Sequence, residues 1–147
     1  MNLMVATDFS THGKAVLEAT CKLARRLDAK VWVIHVVNPP AGFRSYGSGP
    51  RTDRPAVAAE IREEHRLVQE AAEGLRAAGL EAVGLLVEGP PVQTLLDEAA
   101  RLDVDLIVVG SHGYGAVFEA LLGSVSAGVI RRASCPVLVI PIARNDG

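Results

Sequence analysis

The sequence predicts an α/β fold, a single domain built on an open parallel sheet with helices on both faces, and three observations carry that prediction. Strand-length apolar runs alternate with segments of helical periodicity along the chain. The run Lys30 to Val37 (KVWVIHVV) is almost continuously apolar and β-branched, as a strand covered on both faces must be. The helical stretches between strands are long enough for right-handed crossovers, which parallel neighbours require.

The elements follow in order. Leu3 to Thr7 is a short β-favouring run; after it Ala15, Val16, Ala19, Leu23 and Leu27 fall at helical spacing, with Ser10 or Thr11 as the N-cap. Lys30 to Val37 is the second strand, and His35 within it reads as a packed, hydrogen-bonded histidine. Residues 38–55 (NPPAGFRSYGSGPRTDRP) are rich in proline, glycine and arginine and read as a mobile surface loop, with Arg44, Arg51 and Arg54 as solvated charge or, alternatively, as cover for a bound phosphate. Val57, Ile61, Val68, Ala72 and Leu75 form the apolar stripe of a second helix, stopped by Gly79. Leu80 to Glu88 gives a third strand, weakened by Gly84. Pro91 opens a helix whose apolar face is Val92, Leu95, Leu96 and Ala99. Leu106 to Gly110 is the fourth strand, Ser124 to Ala133 the last helix, with Arg131 and Arg132 at its negative end, and Pro136 to Pro141 the fifth strand.

Composition bounds the function. The chain has 147 residues, enough to bury one full core, and residues 1–147 are read as one domain. A net charge of −2 argues against general binding to nucleic acid or a membrane surface. With a start (MNLMVATDFS) that is neither basic nor long and apolar, the expectation is a cytoplasmic protein without membrane span or signal peptide. Cys21 and Cys135 fit no metal or redox spacing and read as small buried hydrophobes.

The chemistry concentrates between Leu106 and Ser126, LIVVGSHGYGAVFEALLGSVS. Gly110, two residues, Gly113, nine residues, then Gly123-Ser124 is the spacing that matters. Gly110 ends a buried strand where a side chain would obstruct a ligand lying over the strand end. Gly113 keeps the following turn open. Gly123 and Ser124 precede Val125, Val129 and Ile130 and therefore sit where a helix leaves amides unsatisfied and its dipole positive, a place suited to an anion. Ser124 either caps that helix or offers its hydroxyl to a phosphate, and Ser126 supplies a second hydroxyl. Asp8, at the carboxyl end of the first strand, either accepts hydrogen bonds from ribose hydroxyls or a base amine, or only caps its turn. Val36 and Val37 reach the same edge and offer an apolar wall for an adenine.

These residues resemble the ATP-binding branch of the universal stress protein family: VATDFS after the first strand, IHVV at the second, DLIVVGSHG at the fourth, LLGSVS, and the closing CPVLVIP. The resemblance implies an adenine nucleotide alpha hydrolase-like fold with strands in the order 3-2-1-4-5, which places the first and fourth strands side by side where the winding reverses. It further implies that Ala6, Thr7, Asp8 and Val36 hold the adenosine. Val109, Gly110, Ser111, His112 and Gly113 then line the ribose and first phosphates, and Gly123, Ser124, Val125 and Ser126 cradle the outer ones. ATP, with Mg2+ or Mn2+ on its phosphates, is the implied cofactor. The chain has no GxxxxGK lysine, and Phe118 replaces the third glycine of a dinucleotide fingerprint begun at Gly113-Tyr114-Gly115. The leading expectation is a nucleotide-dependent regulatory module of the stress response; the alternative is a slow ATPase or nucleotidyl-transfer enzyme with His112 placing water or meeting phosphate charge. The apolar strand Val137 to Ile140, if at the sheet edge, calls for a partner, and a homodimer through it is expected.

Overall fold

A computed structural model describes residues 1–9, 11–38, 54–111 and 123–142. Nine elements alternate along them: β1 (Asn2–Ala6), α1 (Thr11–Leu27), β2 (Lys30–Val37), α2 (Arg54–Ala77), β3 (Ala82–Glu88), α3 (Pro91–Arg101), β4 (Leu106–Gly110), α4 (Ser124–Arg132) and β5 (Val137–Ile140). The five strands form one parallel sheet in the order β3-β2-β1-β4-β5. From β1 the chain winds outward through β2 to β3, then returns to β4 on the other flank of β1, so the winding reverses between β1 and β4.

Because side chains alternate along a strand, each strand serves two cores. Leu3, Val5, Val31, Val33 and Val108 pack with Val16 and Ala24 of α1 and Ala72 and Leu75 of α2. Met4, Ile34, Val36, Ile107 and Val109 pack on the opposite face with Leu95 and Ala99 of α3 and Val129 of α4. Leu3, Met4, Val5, Val31, Val33, Ile34, Ile107 and Val108 are wholly buried, and each contributes on the order of 1.5–3 kcal/mol of transfer free energy. No helix among the described residues is long and apolar enough to cross a membrane.

Three helix-to-strand turns share one solution. After α1, α2 and α3 a residue enters the left-handed region, Asp28 (φ 49°), Gly79 (φ 91°) and Asp103 (φ 53°). The next amide then reaches back five residues, Ala29 to Ala24, Leu80 to Leu75 and Val104 to Ala99. Gly79 is the stop that the sequence announces, whereas the two aspartates perform the same turn with a residue that tolerates positive φ less readily.

The strand and helix limits depart from the sequence expectation in small, explicable ways. β1 ends at Ala6, although the Thr7 amide still donates to the Ile34 carbonyl at 3.0 Å and continues the ladder. Arg54 and Pro55, expected in the long loop, open α2, where a proline in the first turn lacks only an N–H that would be unsatisfied anyway. Residues 39–53, which include Arg44 and Arg51, lie outside the described residues. Gly84 is not a weak point of β3. A Cβ there would stand 2.8 Å from the Val68 carbonyl oxygen, so glycine is what lets α2 lie directly on the strand. Cys21 and Cys135 are half-buried rather than buried, and both are free thiols.

The sheet has two edges and they differ. Alternate carbonyls of β3 that point away from β2 are covered by side chains of α2: Arg76 Nη1 donates to Ala82 O at 2.7 Å and Gln69 Nε2 to Gly84 O at 3.0 Å. On β5, the carbonyls of Pro136 and Ile140 accept from Ile107 and Ser111 of the β4 strand and its extension, which leaves the backbone groups of Val137 and Val139 directed outward.

Candidate functional site

The carboxyl ends of β1 and β4 meet at the reversal of winding, where an open α/β sheet leaves a crevice. On the β1 side the chain turns sharply. Phe9 adopts φ 58°, and its amide donates to Thr7 Oγ1 at 3.2 Å. Gly13, on the first turn of α1, is pressed against this turn: a Cβ there would lie 2.8 Å from Thr7 Oγ1 and 3.6 Å from Asp8 Oδ1. The absence of a side chain at Gly13 thus sets how closely α1 approaches the Thr7 side chain and, with it, the turn that carries Asp8.

On the β4 side, Ser111 is a pin. Its amide donates to Ile140 O at 2.9 Å, its carbonyl accepts from the Gly123 amide at 2.8 Å, and its hydroxyl oxygen accepts from the Ile142 amide at 2.9 Å. These bonds bring Gly123 back to the end of β4 although eleven residues, 112–122, separate it from Ser111. Gly123 is the N-cap of α4, with φ −63° and ψ 156°, and contributes no side-chain capping bond. Ser124 is therefore the first helical residue, and it is exposed; the cap expected of it is supplied by the glycine before it. The amides of Ser124, Val125 and Ser126 belong to the turn that has no intrahelical acceptor. Ser126 is buried and its hydroxyl donates to Gly110 O at 2.7 Å, so that hydrogen braces α4 against the end of β4.

Between the two sides lies a cleft of about 580 Å3, counted to its open mouth. Of the residues singled out from sequence, it is lined by Ala6, Thr7, Asp8, Val36, Val109, Gly110, Gly123, Val125 and Ser126. Ser111 lies behind the wall as its fastening, Ser124 sits outside the lining, and His112 and Gly113 fall outside the described residues. Val37 is buried but does not reach the cleft.

Sequence reasoning missed six lining residues. Ile34, Val16 and Leu95 belong to the two cores and surface at the cleft floor, where periodicity identifies them only as core. Pro91 enters from the start of α3, and Ile142 arrives from beyond β5, tied there by Ser111. Gly13 carried a signal, a glycine in the first turn of a helix that a propensity argument would exclude.

The site is apolar at its base and polar at its rims. Ile34, Val36, Leu95 and Val109 offer a surface for a flat aromatic group, Asp8 offers acceptors, and the start of α4 offers amide donors with the positive end of a helix dipole. Away from the cleft, the Arg66 hydrogen bond draws the Glu63 carboxyl below its ordinary value on the outer face of α2, and burial pushes the Cys135 thiol up. Among the described residues there is no group of three or more His, Cys, Asp or Glu side chains placed to hold a metal ion.

Comparison with known proteins agrees with this architecture. The profile of the Universal stress protein family matches residues 1–141. Universal stress protein YxiE of Bacillus subtilis (strain 168) is 30% identical over 143 residues, covering 94% of this chain and 97% of its own. A universal stress protein solved in complex with cAMP superimposes with a TM-score of 0.68 at 26% identity, covering 97% of this chain and 98% of the other. The universal stress protein from Archaeoglobus fulgidus in complex with dAMP gives 0.67 at 26% identity, over 95% and 97%. A reversed parallel sheet, a cleft at its reversal, a glycine-capped helix at the rim and a family profile spanning almost all of the sequence lead to one assignment: the chain belongs to the universal stress protein family.

Proposed function

We propose that the chain is an ATP-binding regulatory module, in which nucleotide occupancy stabilises one state of the protein. The observation that carries this reading is the cleft itself, where an acid-bearing turn and the amide-rich start of α4 face each other over an apolar floor. Asp8 accepts from ribose hydroxyls or the adenine amine, Ile34, Val36 and Val109 contact the base, and the amides of Ser124 to Ser126 receive phosphate oxygens. Structures of two family members hold adenine nucleotides, cAMP and dAMP, which supports the base preference. The third phosphate rests on the glycine spacing through Gly123. Mg2+ or Mn2+ would be held chiefly by the phosphates and their waters.

The test is to denature the purified protein and identify released nucleotide by mass spectrometry, then to titrate ATP and GTP into ligand-free protein. ATP at about 100 times its Kd should raise stability by about 2.7 kcal/mol, a thermal shift of about 5–11 °C for a chain of this size. Gly123→Val should abolish that shift while leaving the fold intact. A protein that carries no nucleotide and shows no shift with ATP overturns the reading. Phosphate release that disappears in His112→Ala while binding persists would move the protein to the slow-ATPase class.

The same reading includes a homodimer through β5. One edge of the sheet is blocked by Arg76 and Gln69, whereas the other presents Val137 and Val139 backbone groups beside the exposed Leu138. Val139→Pro removes one outward N–H at a position where an edge strand tolerates proline. It should convert a dimer to a monomer in sedimentation without unfolding it; wild-type protein that sediments as a monomer at micromolar concentration refutes the dimer.

A further inference from the structure

A buried polar linkage joins the cleft to helix α2, and neither of its side chains lines the cleft. His35 projects from β2 toward the α2 side of the sheet and is 4% exposed. Its Nδ1 lies 2.7 Å from the carbonyl oxygen of Thr7. A carbonyl only accepts, so Nδ1 carries the hydrogen, and the geometry fixes the tautomer. The other ring nitrogen, Nε2, is consequently turned to α2, where Glu64 Oε1 stands 3.5 Å away with its side chain about one-quarter exposed, 28%. At that distance the two side chains stand within ion-pair range but beyond an ordinary hydrogen bond.

The ring does a second job. Phe9 packs against it with centroids 5.0 Å apart at an interplanar angle of 60°. Phe9 is the residue in the left-handed region, a conformation that a bulky side chain holds only when its surroundings fix it. Its backbone is held by Thr7 Oγ1 and its ring by His35. Asp8 lies between these two fixed points, Thr7 with its carbonyl bound and Phe9 with its ring clamped. The backbone that carries Asp8 is therefore held on both sides, and one of its fastenings runs from the opposite side of the sheet through His35, which faces Glu64 of α2.

We propose that His35 and Glu64 are positioning residues for Asp8, so that the seating of α2 on the sheet and the readiness of the cleft for a nucleotide are energetically coupled. This rests on the nucleotide reading for its ligand, though the coupling between α2 and the Asp8 turn does not. Coupling of this kind is reciprocal: a ligand that fixes Asp8 also fixes the N-terminal half of α2, and whatever loosens α2 weakens the ligand.

Amide hydrogen exchange on the full chain separates the two ideas. In nucleotide-free protein, Glu64→Ala should speed exchange at residues 8–13 by about threefold or more, while β4 and α4 keep wild-type rates; Glu64→Gln, which preserves shape and an acceptor, should restore the wild-type pattern. His35→Asn keeps a donor for Thr7 O but cannot reach Glu64 and removes the ring under Phe9, so it should speed exchange at residues 8–13 at least as much as Glu64→Ala does. With ATP added, Kd should rise about fivefold or more in Glu64→Ala, and ATP should protect the amides of residues 57–68 in wild type but less so in the variant. Unchanged exchange at residues 8–13, or acceleration spread evenly over the sheet, overturns the positioning role even if ATP binds. Loosening confined to residues 8–13 in a protein that binds no ATP upholds the positioning role and overturns the nucleotide reading instead.

Discussion

Replacing Gly84 by alanine tests a close helix-on-strand packing contact, and it does so against the expectation from strand propensity. Glycine is a poor strand residue, and alanine at an ordinary strand position gains a fraction of a kcal/mol. Here the added Cβ would meet Val68 Cγ1 at 2.7 Å, Val68 O at 2.8 Å and Val68 C at 3.1 Å. A side chain can rotate away, but the helix backbone of α2 cannot, so the helix must lift from β3 and strain the Gln69 bond to Gly84 O. Overpacking of this kind costs about 1–3 kcal/mol, and backbone contact places Gly84→Ala near 2 kcal/mol of net loss. For a chain of this size that is a fall in Tm of about 4–8 °C. Gly74→Ala is the internal control: it lies within α2 with nothing within 4 Å of its Cβ, and should gain about 1 kcal/mol from helix propensity. Urea unfolding followed by circular dichroism measures both. Adding Val68→Ala to Gly84→Ala relieves the methyl contact but not the carbonyl contact, so the double variant should lose less than the sum of the singles without returning to the level of Val68→Ala alone. A neutral or stabilising Gly84→Ala, or full relief by Val68→Ala, would refute the packing argument.

Other substitutions probe the remaining claims. Gly13→Ala should leave stability within about 1–2 kcal/mol of wild type, because helix propensity offsets part of the clash with Thr7 Oγ1, yet weaken ATP severalfold in titration calorimetry by displacing Asp8; full affinity would show that α1 does not set the carboxylate. Asp28→Gly and Asp103→Gly should each stabilise by about 0.5–1 kcal/mol in chemical unfolding, since both aspartates occupy positive φ; a loss in both would mean that their side chains earn their place by contacts at the turn. In Cys21→Ser protein, Cys135 should react with iodoacetamide along a pH profile displaced upward from that of a free cysteine, because burial disfavours its thiolate; a profile at or below the ordinary thiol value contradicts the buried setting.

The order of strands and helices was legible because the apolar pattern changes period cleanly at each junction. Lys30–Val37 and Leu106–Gly110 were bounded correctly, since strands covered on both faces read as unbroken apolar runs. What the pattern did not disclose depends on distance in space. Gly84 reads locally as a defect and is a contact. Asp28 and Asp103 look like ordinary surface acids and serve as left-handed turn residues. Nine of the residues named for the cleft do line it, because a strand end and a helix start are local features. Ile142 and Gly13 were not found, because their relevance comes from Ser111 and Thr7, partners far away in the sequence or across a turn. The His35–Glu64 approach joins β2 to α2, a pairing that no periodicity encodes.

One hydrogen bond, from the Gly123 amide to the Ser111 carbonyl, acts as a clasp for everything strung between them. Together with the bond from the Ser126 hydroxyl to Gly110 O, it ties the start of α4 directly to the end of β4, so the rim of the cleft is held by contacts made on the sheet itself.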